Sequence, residues 1–75
     1  MKLFELRDGQ SARVTGFSVG DRAYRQKLIQ MGLRKGVTFT LLRKAPLGDP
    51  VEINCGGILL TLRKGEGDIV EVEAL

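Results

Sequence analysis

At 75 residues the chain has room for one small domain and no room for a large core. With 28% charged and 43% hydrophobic residues it reads as globular, and its net charge of +3 permits an acidic partner without demanding one. A single cysteine and no histidine exclude an internal disulfide, a soft-metal site and the commonest catalytic base.

The opening Met1-Lys2-Leu3-Phe4-Glu5 lacks the apolar run of a signal peptide. No apolar stretch approaches the roughly 18 residues that span a bilayer. A cytoplasmic protein is therefore expected, and the lone thiol of Cys55 suits a reducing compartment. Leu3 to Leu6 reads as one turn or an edge segment. Asp8-Gly9 supplies a tight turn. From Ser11 to Phe17 the pattern alternates, with Ala12 and Val14 on one side, and predicts a strand.

Residues 21–36 (DRAYRQKLIQMGLRKG) are the one stretch that reads as a helix. Tyr24, Leu28 and Met31 fall on one face at helical spacing, and the basic and amide side chains fall elsewhere. Asp21 is the expected N-cap, where its carboxylate meets free backbone N–H groups and the positive end of the helix dipole. Gly32 is the expected left-handed residue after the helix. Leu28 and Leu33 then form the apolar pair that closes a Schellman motif. Gly36 opens the next segment.

Beyond Gly36 the period returns to two. Val37, Phe39 and Leu41 alternate with Thr38, Thr40 and Leu42, and Arg43-Lys44 ends the strand. A loop with two prolines and a glycine follows, Ala45-Pro46-Leu47-Gly48-Asp49-Pro50. Val51, Ile53 and Cys55 alternate with Glu52 and Asn54, and Gly56-Gly57 marks a two-residue hairpin. Ile58 to Arg63 is the returning strand, with Leu59-Leu60 suggesting burial on both faces. Residues 64–68 read as a turn, in which Glu66 and Asp68 are expected to be solvated. Ile69 to Leu75 closes the chain as a strand. The pattern is mainly β: five short strands forming a small, partly open barrel, with one helix covering an end.

The chain carries no enzyme constellation. Cys55 is in phase with Val51 and Ile53 and reads as a buried core residue. Neither Gly56-Gly57 nor Gly65-Glu66-Gly67 precedes a helix N-terminus of the kind that cradles phosphate. No catalytic, cofactor-binding or metal-ligating residue is expected. Basic residues come in pairs, Arg34-Lys35, Arg43-Lys44 and Arg63-Lys64, each at a turn or strand end. They form either a solvated rim or a contact surface for an acidic protein or a nucleic acid. Aromatic stacking platforms of the kind that nucleic-acid barrels use are scarce: only Phe4, Phe17, Tyr24 and Phe39 exist. The loop around Leu47 is stiffened by Pro46 and Pro50 and reads equally as a docking surface or a structural corner.

Three ordered segments, LIQMGLRKG (28–36), APLGDP (45–50) and LRK (62–64), resemble the FeoA family of bacterial ferrous-iron transport proteins. The preceding YRQKL and the closing Ile69-Val70-Glu71-Val72 also fit, so the likeness runs from about Ala12 to Val72. Gly65-Glu66-Gly67-Asp68 departs from the family, whose members more often carry alanine and a less flexible turn there. The resemblance implies a small cytosolic SH3-like barrel with an inserted helix. It implies an accessory of ferrous-iron uptake that is not an enzyme, carries no cofactor or iron of its own, and acts on the cytosolic part of the transporter FeoB. Membrane contact would then come only through that transporter, and assembly into homo-oligomers stays open. The expected contact face combines Leu33, Arg34, Lys35, Pro46, Leu47, Gly48, Asp49, Arg63 and Lys64, with Asp21, Leu28, Met31, Gly32 and Gly36 holding the frame. The alternative is a nucleic-acid-binding small barrel.

Overall fold

A computed structural model of the chain describes residues 1–18 and 22–75, so the N-cap expected at Asp21 lies outside the described residues. After a 3-10 turn at Leu3–Glu5 come strand β1 (Ser11–Phe17), helix α1 (Arg22–Gln30), strands β2 (Thr38–Lys44), β3 (Val51–Cys55) and β4 (Ile58–Leu62), a one-turn helix α2 (Lys64–Gly67) and strand β5 (Val70–Ala74). The strands form one antiparallel sheet in the order β4-β3-β2-β1-β5. Its outer strands, β4 and β5, do not pair with each other, so the sheet is barrel-like and open.

Alternation places the core. Ala12 and Val14 of β1, Phe39 and Leu41 of β2, Val51 and Ile53 of β3, and Val70 and Val72 of β5 are all buried in one cluster. Register shifts between Val14 and Gly16 and between Leu41 and Arg43 bend the central strands. The hairpin between β3 and β4 turns on Gly56 and Gly57, with φ of 62° and 86°; two consecutive positive φ values are what a tight β-hairpin requires. Asn54 supports it, accepting the Gly57 N–H at 2.9 Å.

The end of α1 fixes the loop that follows. The Leu33 N–H donates to Leu28 O at 2.9 Å and the Gly32 N–H to Ile29 O at 3.1 Å, the paired bonds of a Schellman motif, with Gly32 at φ +103°. Leu28 and Leu33 are fully buried, and Met31 packs against the core. The next turn is bound to β1: the Gly36 N–H donates to Val14 O and the Val14 N–H to Val37 O, at 2.8 and 2.9 Å. Arg34 and Lys35 are thereby held beside β1.

The sequence expectations need correction at several points. Tyr24 is not a core residue: it is 40% exposed and its ring lies over Gly65, on the side of α1 that meets α2. Leu59 and Leu60 are not buried on both faces, because β4 is an edge strand; Leu59 is 59% exposed and Leu60 half-buried. Cys55 is half-buried, since it sits at the hairpin end, beyond the centre of the sheet. Residues 64–67 form a helical turn, and Glu66 within it is buried.

Candidate partner-binding surface

The loop between β2 and β3 is short and internally bonded. The Ala45 N–H donates to Pro50 O at 2.9 Å and the Gly48 N–H to Ala45 O at 2.7 Å, while Gly48 adopts φ +85°. The Asp49–Pro50 peptide bond is cis. Asp49 Oδ1 accepts the Lys64 N–H at 2.9 Å, so the loop is fastened to the start of α2, beside Arg63. With its backbone so occupied, the loop presents one large apolar side chain outward. Leu47 is 96% exposed, the highest exposure among the large hydrophobic residues described.

Beside this loop a cavity of about 400 Å³ is lined by Arg43, Lys44, Ala45, Pro46, Pro50, Glu52 and Thr61. Its charges are largely spoken for. Arg43 Nε pairs with Glu52, which holds the guanidinium above its ordinary range, and Lys44 Nζ donates to Phe4 O at 2.7 Å.

The expected contact face divides in two. Pro46, Leu47, Gly48 and Asp49 stand with Arg63 and Lys64 at the end of β2. Arg34 and Lys35 stand before its start, and a seven-residue strand spans roughly 20 Å. They line a second cleft with Thr15, Gly16, Phe17, Arg25 and Ile29. Leu33 leaves the face altogether: it is fully buried against Leu28, where it serves the helix end instead of a partner. The stacked pair Phe17–Arg25, with the guanidinium carbon 5.6 Å from the ring centroid, was missed in the sequence. The residues lie on different elements, and no local spacing joins them. Among the described residues no group of three or more Cys, Asp or Glu side chains converges to hold a metal ion.

A family model described as the FeoA domain matches residues 1–74. This chain belongs to the FeoA family. A curated relative, the Fe(2+) transport protein A/Fe(2+) transporter FeoB fusion protein of Porphyromonas gingivalis, is 32% identical over all 75 residues, which span 9% of its length. The solution structure of FeoA from Chlorobium tepidum is 45% identical, with a TM-score of 0.90 over 100% of this chain and 70% of that one. FeoA of Stenotrophomonas maltophilia, solved with zinc and described as a prokaryotic SH3 domain protein, is 29% identical, with a TM-score of 0.84 over 97% of this chain and 89% of that one. FeoA is thus a family of ferrous-iron transport with a small SH3-like fold, and in one relative it is joined to FeoB in a single polypeptide. No helix among the described residues is long and apolar enough to cross a membrane.

Proposed function

We propose that this FeoA domain is a cytoplasmic, non-catalytic interaction module that docks on the cytosolic part of a FeoB ferrous-iron transporter. The contact runs through Pro46, Leu47, Gly48 and Asp49 together with Arg63 and Lys64. The observation that carries the reading is Leu47, an apolar side chain held almost wholly in solvent on a loop whose backbone is already bonded. An exposed apolar anchor beside cations, on a pre-ordered loop, docks with little entropy to lose. The fusion relative supports the partner, since one polypeptide carrying both proteins keeps them at high effective concentration. Contact with the membrane then comes only through the transporter.

The nucleic-acid alternative draws less support. Arg34-Lys35 and Arg63-Lys64 lie toward opposite ends of β2. Phe39 is buried and Phe4 and Phe17 are half-buried, which leaves no row of exposed rings on which bases could stack.

Titration of the purified domain against the cytosolic region of its cognate FeoB, with and without a GTP analogue, tests the proposal. Saturable binding is expected, weakened about tenfold or more by Leu47→Asp and by Arg63→Glu, a loss in the range of interface anchors. Unchanged affinity in both variants would remove this face. No binding by the parent domain would remove the isolated cytosolic region as its partner.

A further inference from the structure

We infer that the cleft between the second half of β1 and α1, lined by Gly16, Phe17, Arg25, Ile29, Arg34 and Lys35, is a recognition site for an acidic, partly apolar segment of another protein. It is separate from the Leu47 surface, and its occupancy does not depend on the transporter contact.

Charge is the first argument. Arg25, Arg34 and Lys35 are exposed, and none enters an ion pair with the described residues. Three of the twelve Lys and Arg residues thus line one cleft, in a chain whose net charge is +3. Glu71, the register partner of Gly16 on β5, is already engaged by Lys2 and the N-terminal amine. A concave site lined by cations that pair with no described carboxylate concentrates anionic partners.

Shape is the second. The cleft encloses about 400 Å³. Its apolar part comes from Ile29 and from the Phe17 ring, with the Arg25 guanidinium stacked at 5.6 Å. Gly16 keeps it open: its φ lies outside the positive region, and an added Cβ would meet nothing within 4 Å. The backbone at this position therefore tolerates other residues, and the missing side chain leaves room for a ligand.

Chemistry chooses the occupant. A compact phosphate is held by converging backbone N–H groups, whereas the main chain of Gly16 and Phe17 faces β5 through their pairing with Glu71 and Val70. The cations stand on two separate elements, α1 and the turn before β2, and Phe17 and Ile29 add apolar surface to the same cleft. Spaced carboxylates together with an apolar side chain match that lining, and an acidic peptide provides both.

The test is a titration of the 15N-labelled domain with a capped ten-residue peptide alternating Glu and Leu, alongside the same peptide with Gln for Glu and a ten-nucleotide oligothymidine. The inference expects saturable binding of the Glu peptide, with shift changes centred on Thr15, Gly16, Arg25, Arg34 and Lys35. It expects at least tenfold weaker binding of the Gln peptide. Gly16→Leu, which fills the cleft, and Lys35→Glu should each weaken the Glu peptide at least tenfold. Arg25→Gln, an exposed change that removes the charge and keeps a good helix former, should act in the same direction and guards against a folding defect in the other two. Equal binding of the two peptides, shifts centred on Leu47 and Arg63, binding of the oligonucleotide but not the Glu peptide, or no binding of either would each overturn the inference.

Discussion

Lys27 Nζ lies 2.5 Å from Glu66 Oε2, joining the last turn of α1 to α2. The two partners differ sharply in setting: the Lys27 side chain is mostly in solvent, while Glu66 is 5% exposed. Glu66 Oε1 accepts the Arg63 N–H at 3.0 Å, closing the start of α2. Oε2 has no aligned hydrogen bond, so the Lys27 ammonium is its compensating charge. Removing that ammonium strands a buried carboxylate. Lys27→Met should cost about 1 kcal/mol, the partner's exposure keeping the loss small, and chemical denaturation reads it directly.

The same contact predicts a pH dependence. Lys27, and after it the Arg63 amide, holds the Glu66 carboxyl below its ordinary value of 4.5, against the opposing effect of burial. The folded chain therefore binds fewer protons than the unfolded chain on acidification. The stabilisation is complete above about pH 4.5 and is lost as the pH falls through the lowered folded value. Glu71, held down by Lys2, acts in the same direction. Lys27→Met should flatten the acid limb of a stability–pH curve without abolishing it. An acid limb identical to that of the parent would rule out this pair as its source.

Gly32 tests the end of α1. Nothing lies within 4 Å of an added Cβ, so strain at φ +103° is the main penalty there. Gly32→Val should destabilise the domain by about 1–2 kcal/mol, since a β-branched residue is poorly tolerated at positive φ. A thermal melt that does not move would show that the helix end re-forms without a left-handed residue.

At Gly67 the penalty has another source. An added Cβ would run into Cε1 of Phe4, inside the ring's contact distance. Gly67→Ala should cost roughly 1–3 kcal/mol, in the range of overpacked sites. In a Phe4→Leu background the cost should shrink, and a double-mutant cycle measures the coupling. Equal costs in both backgrounds would place the problem in the backbone.

Leu47→Asp should leave stability within about 0.5 kcal/mol of the parent, as expected of a solvent-exposed position. A denaturation midpoint shared with the parent, together with weaker transporter binding, would separate a docking role from a structural one.

Local chemistry was legible in the sequence. Gly32 with Leu28 and Leu33 announced how α1 ends, Gly56-Gly57 announced the hairpin, and strict alternation marked the buried faces of β1, β2 and β3. Facts of long range were not. That β4 is an edge, and Leu59 therefore exposed, follows from sheet order. The glycines at 65 and 67 lower helix propensity and argued for a turn, yet α2 forms because the Tyr24 and Phe4 rings occupy the space over them and Glu66 finds Lys27. The basic pairs were visible as pairs. Which of them share a surface depends on the end of β2 that each occupies, and a linear pattern carries no such information.

The pairing of β1 with β5 sets Arg13 against Glu73, while the β3–β4 hairpin needs only the two glycines between Cys55 and Ile58. Loop-closure entropy grows with the length of chain enclosed, so these pairings stand at opposite ends of the kinetic scale. The β3–β4 hairpin can assemble from its own turn, and β1 meets its outer neighbour only when nearly the whole chain is at hand. A chain cut before Val70 would therefore lose the strand that pairs with β1 and covers Val14. Val72 and Leu75 also bond back to Met1 and Ser11, so the two extremities of this sequence are part of the same structural seam.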